Sequence, residues 1–161
     1  MFRVRGELTR TVLTGAGLVS LMLASAFPLW GSLGGDISSV QADQVHMQGS
    51  LKATANTAYA VHEIQGANGT AVREYVSNGG KVFGIAWQGP WHPDMRQLLG
   101  NYFNQYLQAV KAQNEGHIRR GPLTIQLPGL VVEMGGHPRS FVGRAYVPEM
   151  MPEGVRAEDI R

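Results

Sequence analysis

The chain contains no cysteine. That excludes disulfides, thiol nucleophiles, thiolate metal sites and the lipid-bearing cysteine of a bacterial lipoprotein, so the fold must be held by packing alone. A strong excess of one charge is also missing: 14 basic and 12 acidic residues leave a net +2 over 161 residues. Nucleic-acid affinity comes mainly from Lys and Arg neutralising phosphates, so a nucleic-acid partner is not expected. After Leu23 no apolar run approaches the roughly 20 residues that a bilayer span needs. Motifs are scarce too. No Ser sits in a nucleophile-elbow sequence, and no glycine-rich loop precedes a phosphate-binding Lys. His62-Glu63 opens like a zinc-protease helix motif, but no second His follows at the required spacing. The five histidines are scattered without metal-ligand spacing, so neither a metal nor a cofactor is expected.

What is present begins with an address. Arg3, Arg5 and Arg10 form a cationic start, Thr11 to Leu23 is an uncharged apolar run, and Ala24-Ser25-Ala26 is a small-x-small cleavage site. Residues 1–26 therefore read as a secretory signal peptide, cleaved after Ala26, which sends the protein to the periplasm or outside the cell. Removing 26 of the 161 residues leaves 135, enough for one core. It also removes Arg3, Arg5, Arg10 and Glu7, leaving a formally neutral mature chain. An uncleaved signal would be the one route to membrane attachment. Pro28 and the small residues Gly31, Ser32, Gly34 and Gly35 weigh against that anchor.

In the mature chain Asp36 is a plausible N-cap, and Ile37, Val40, Met47 and Leu51 follow at near-helical spacing through about residue 50. Three strand-like runs come next, Ala58 to Gln65, Thr70 to Ser77 and Lys81 to Gln88. They are separated by Gly66-Ala67-Asn68-Gly69 and Asn78-Gly79-Gly80, turn sequences that predict a three-stranded meander. Pro93 opens a long helix at about Asp94, with Met95, Leu98, Leu99, Tyr102, Phe103, Tyr106, Leu107 and Val110 along one face. Gln113 to Gly121 reads as a polar connector. Leu123 to Leu127 is a further short strand, and Leu130 to Met134 with Ser140 to Val147 form a second hairpin about Gly135-Gly136-His137-Pro138. The prediction is a single α+β domain over residues 33–147: an antiparallel sheet, three-stranded meander plus C-terminal hairpin, covered by a short N-terminal helix and one long amphipathic helix. Residues 148–161, with two prolines, a glycine and dense charge, are expected to be a flexible tail.

Register decides which side chains of the meander share a face. An even-numbered first loop puts Glu63 on the face of Glu74, and leaves His62 with Arg73 and Tyr75. Phe83, Ile85 and Trp87 point one way on the third strand, and Val82, Gly84 and Ala86 the other. A two-residue turn at Asn78-Gly79 sets the large side chains beside Glu63 and Glu74, whereas a three-residue loop sets them beside His62, Arg73 and Tyr75. In the first register two carboxylates on an apolar face are the raw material for acid and base work. In the second, His62, Arg73 and Tyr75 form a polar strip beside aromatics, more a recognition surface than a catalytic one. Trp91 and Trp30 are further candidates for a binding surface.

The runs Val61-His62-Glu63-Ile64, Val72 to Ser77 and Gly80 to Pro90 form a distinctive pattern. So do Leu33-Gly34-Gly35 with Ser39-Val40 and Asp43, and Pro93-Asp94 with Leu98-Leu99-Gly100 and Tyr102-Phe103. This pattern, over roughly residues 33 to 110, resembles the exported bacterial family known as domain of unknown function 2844. The resemblance implies export from bacteria and one compact domain, and it brings no catalytic residues with it. The expectation for function is a non-catalytic binding or assembly domain of the cell envelope, whose partner is an envelope protein or polymer. The alternative is a small envelope hydrolase using a Glu63/Glu74 carboxylate pair. No oligomeric state follows from the sequence.

Overall fold

The computed structural model describes residues 32–114 and 121–161. The signal segment, Trp30 and residues 115–120 of the connector lie outside them. The Asp36 side chain accepts from the backbone N–H of Ser38 at 2.9 Å and starts helix α1 (Ile37–His46). The helix stops there instead of running on to residue 50. Gln48 adopts φ 49°, and Gly49 follows. A Cβ on Gly49 would sit 2.7 Å from the main-chain oxygen of Gln65, so only glycine fits this passage. The chain then enters an edge strand, β1 (Ser50–Ala55). Leu51, four residues after Met47, suits a helix stripe, yet it is the one half-buried residue of this strand.

The predicted meander follows as β2 (Tyr59–Gln65), β3 (Ala71–Ser77) and β4 (Val82–Gly89). Asp94 then caps the first of two helices by accepting from the N–H groups of Arg96 and Gln97. Those helices, α2 (Met95–Leu99) and α3 (Phe103–Asn114), are joined by a 3-10 turn at Gly100–Tyr102. Three more strands complete the sheet: β5 (Leu123–Leu127), β6 (Leu130–His137) and β7 (Ser140–Tyr146). The expected second hairpin is therefore a three-stranded unit, and its last strand lies beside β4. The result is one seven-stranded antiparallel sheet in the order β1-β2-β3-β4-β7-β6-β5, with helices on one face. The α+β architecture is the expected one.

Two local features set the register. The loop between β2 and β3 holds five residues, because Gly66 and Thr70 close it as a pair (N to O 2.9 Å) and Gln65 faces Ala71. The loop between β3 and β4 holds three, with the N–H of Ser77 donating to the oxygen of Lys81. A bulge at Phe83 then shifts the pairing from Val76↔Val82 to Tyr75↔Gly84. Phe83 is thereby separated from Ile85 and Trp87. His62, Ile64, Val72, Glu74, Val76, Ile85 and Trp87 all face the helices, where Leu33, Val40, Leu98, Leu99 and Tyr106 complete the main core.

The outer face carries Tyr59, Tyr75 and Phe83, whose ring centroids lie 5.7 to 6.2 Å apart. Residues 148–161, expected to be flexible, are docked on this face. Ile160 is fully buried against Tyr75, Phe83 and Ala86. A Cβ on Gly84 would meet Ile160 Cδ1 at 2.8 Å, so the small residues of β4 form the trough that receives it. Arg144 donates to the Ala157 carbonyl, and Tyr75 OH donates to the Arg161 main-chain oxygen at 2.7 Å. Charge density along the tail conceals this anchor, since one apolar side chain among polar neighbours has no periodicity. The Ile160→Ala protein should lose about 2 to 4 kcal/mol in urea denaturation, whereas truncating exposed Glu158 should change stability by less than about 0.5 kcal/mol. Equal stability of the two variants would mean that the tail is not anchored through Ile160.

Candidate functional site

The register buries a carboxyl group. Glu74, in the middle of β3, is 0% exposed and lies beneath α1. Ser39, Val40 and Asp43 form the inward side of that helix, Asp43 standing four residues on from Ser39 and three from Val40, the spacings that share one face. Asp43 is also 0% exposed. Its Oδ2 accepts from the hydroxyl of Ser32, and its Oδ1 accepts from Gln97 Nε2 at 2.6 Å. Segments far apart in sequence thus converge on one side chain.

The Glu74 oxygens receive no hydrogen bond from any N–H or O–H group of the described residues, although the carboxyl lies against Asp43 and Ser32. Two carboxylates cannot bond each other, but one proton between them makes an O–H···O bond. Burial pushes Glu74 well above the usual carboxylate range, and the neighbouring Asp43 charge pushes it further. Burial also raises Asp43, while the donors Ser32, Gln97 and Glu74 oppose that rise. Burial and the neighbouring carboxyl thus favour the protonated form of Glu74, while the donors Ser32 and Gln97 favour the charged form of Asp43.

Asp43 also forms part of the floor of a cleft of about 390 Å³. Its walls are the C-terminal end of α1, the β2–β3 loop, the segment leading into α2, and α2 itself. Eight of the twelve lining residues carry hydrogen-bonding side chains, and none is Lys or Arg. At the rim, His46 Nε2 stands 3.8 Å from Asp94 Oδ2. The N-cap bonds of Asp94 use its Oδ1, which leaves Oδ2 free of them.

The residues singled out in the sequence are not brought together. Glu63 and Glu74 point to opposite faces of the sheet, because Glu63 pairs with Arg73 and Glu74 with His62. Arg73 Nε donates to Glu63 Oε2 at 2.6 Å in a half-exposed ion pair, worth about 0.2 to 1 kcal/mol. His62 is buried on the helical face, where desolvation lowers its pKa, so it does not join Arg73 and Tyr75 in a strip. Those two lie on the outer face and hold the main chain at Arg161. Trp91 is 58% exposed, beside His92 of the cleft. Among the described residues no group of three or more His, Asp or Glu could hold a metal ion, and no helix is long and apolar enough to cross a membrane.

Residues 31–160 match the sequence model of a family described as "Protein of unknown function (DUF2844)". The chain belongs to the DUF2844 family. No curated protein and no solved structure gives a significant match. The DUF2844 match begins before Ser32 and ends at Ile160, so it takes in the whole acid network, the second half of the sheet and the docked tail.

Sequence reasoning weighed Glu74 but missed its true partner. The signal was available, since Asp43 follows Val40 by three residues and so shares the apolar side of α1. Ser32 and Gln97 had no signal of their own.

A pH dependence follows. The unfolded chain releases the Glu74 proton near 4.5, the ordinary value, whereas the folded chain keeps it to higher pH. Between those limits the native state binds more protons, so stability is full below about 4.5 and falls as pH rises, by up to about 1.4 kcal/mol per unit for each proton. Glu74→Gln keeps a donor for Asp43 without a titrating proton. Urea midpoints of this variant should vary less between about pH 5 and 8 than those of the parent. An identical slope in both proteins would place the proton elsewhere.

Proposed function

We propose that this DUF2844 protein is an exported, non-catalytic domain of the bacterial cell envelope that binds an envelope protein or polymer through the cleft between α1 and α2. The observation that carries this reading is the contrast between cleft and acid pair. General acid and base catalysis needs a titrating group within hydrogen-bond reach of the substrate. Glu74 and Asp43 are both 0% exposed, and the Asp43 oxygens are already occupied by donors of the fold. The cleft above them is open, and its lining combines apolar surface from Met47, Ala67, Pro93 and Leu98 with the polar side chains of His46 and Asp94 at the rim. A hydrolase using Glu63 with Glu74 would need both at one scissile bond, and the sheet lies between them.

Export rests on the leader: three Arg, an uncharged apolar run and Ala24-Ser25-Ala26. N-terminal sequencing of the protein recovered from a bacterial periplasmic extract should begin at Phe27. Intact Met1 in the membrane pellet would replace cleavage with anchoring. For the cleft, His46→Trp fills the rim from a half-exposed helix end. It should weaken saturable binding to fractionated envelope polymer or protein by about tenfold or more, the loss of one good charged or polar contact. An unchanged isotherm would move the binding surface away from the cleft.

A further inference from the structure

The two edges of the sheet differ in how they are guarded. An unpaired edge strand offers free N–H and C=O groups to another chain, so folds usually blunt it with prolines, charges or a covering segment. At one edge, the short β5 lies between Pro122 and Pro128, and Gln113 near the end of α3 donates to the Thr124 carbonyl at 3.2 Å. At the other edge β1 contains no proline, and Glu63 stands opposite its single charge, Lys52. Asn56 N–H donates to the Tyr59 oxygen at 2.9 Å, which sets the alternation along β1. Ser50, Lys52 and Thr54 turn their main-chain groups to β2, whereas Leu51, Ala53 and Ala55 turn theirs outward. Among the described residues no other segment bonds those outward groups. Apolar side chains also lie exposed on this flank: α1 packs on β2, the neighbour of β1, and leaves Ile37 51% and Val45 76% exposed.

We infer that β1 is a self-pairing edge, through which two copies of the chain join antiparallel about a two-fold axis at Ala53. In that register Ala53 exchanges both main-chain hydrogen bonds with Ala53 of the second copy, and Leu51 exchanges both with Ala55. All the outward groups of the edge are then satisfied. The sequence of β1 fits itself in this arrangement. On the helical face Ala53 meets Ala53 and Leu51 meets Ala55, small or apolar in every case. On the outer face Lys52 stands across from Thr54, so no like charges are directly opposed. This self-complementarity favours a second copy over an unrelated strand, because one sequence supplies both halves of a closed two-fold interface. With 14 basic and 12 acidic residues, the chain also carries little net charge to hold two copies apart. A two-fold axis normal to the sheet keeps the helices of both copies on one side. On the reading of the cleft as a binding site, both clefts lie on that side, where one polymer can engage the two together and gain avidity.

The test is the mass of the mature protein by light scattering from micromolar to millimolar concentration, read beside hydrogen exchange of the β1 amides. Twice the chain mass is expected, with the amides of Leu51, Ala53 and Ala55 protected from exchange. Ala53→Pro removes an outward N–H, a change that edge strands tolerate. It should raise the dimer dissociation constant about tenfold or more, since each copy loses a main-chain bond. Ala53→Lys keeps the backbone intact at an exposed position and sets two like charges directly opposite each other. It should raise the same constant about fivefold or more, and it decides the matter if the proline variant fails to fold. A single chain mass at every concentration, a dimer with unprotected β1 amides, or a dimer that Ala53→Lys leaves equally tight would each overturn the inference. A single chain whose β1 amides become protected only when envelope extract is added would overturn it in favour of another protein's strand at this edge.

Discussion

The structure turns on one proton held between two buried carboxyl groups. Glu74 is fixed on the central part of the sheet by its strand pairing, and Asp43 is fixed on α1 by the helix period. Neither can turn to water. The contact is tolerable only if the pair carries a single charge and that charge is hydrogen-bonded, which requires Ser32 and Gln97 to be in place. The requirement ties the entry segment and α2 to α1, and those are the elements that wall the cleft. Backbone bonds along the entry support the same arrangement: Leu33 N–H donates to the Leu98 oxygen at 3.0 Å, and Gly34 N–H to the Val82 oxygen at 2.8 Å. Cleft geometry is thus coupled to the state of the core beneath it, and a change at Asp43 would be felt at the rim.

The outer face obeys a different constraint. One row across the sheet reads Lys52, Glu63, Arg73, Ala86, Arg144, Glu133, Thr124. Two Arg–Glu pairs, each 2.6 Å from Nε to Oε2, stand on either side of the small Ala86. Each Glu occupies one edge of its guanidinium, and each guanidinium turns a further N–H to the returning tail, at Arg161 and Ala157. Ile160 fills the space over Gly84 and Ala86 between them. The ion pairs contribute little stability by themselves at such exposure. Their effect is to orient donors toward main-chain oxygens that an open sheet face would otherwise leave to water.

Much of the fold was legible because it depends on patterns of several residues. The alternating runs, the Asn78-Gly79-Gly80 turn, the capping Asp36 and Asp94, and the apolar stripe from Met95 to Val110 all recur over enough positions to outweigh a single exception. β1 was not legible: its side chains are nearly all exposed, so alternation of apolar and polar residues carries no information there. The tail was hidden for the related reason that its docking rests on Ile160 and main-chain oxygens. The pairing of acidic residues failed on a single residue. Taking Thr70 as the first residue of β3 gives an even loop and sets Glu63 beside Glu74; Thr70 in fact closes the loop against Gly66, and the whole strand changes face.

That sensitivity explains why the site is built as it is. Side-chain chemistry on a sheet face is exposed to register errors, and the bulge at Phe83 is a second place where one residue reverses inside and outside. A buried Glu on β3 that finds Asp43 only in one register penalises the slipped alternatives, since a slip by one residue would leave Asp43 ionised in the core without Glu74 and would put Val72 and Val76 in water. The acid pair thereby adds specificity where it adds little net stability.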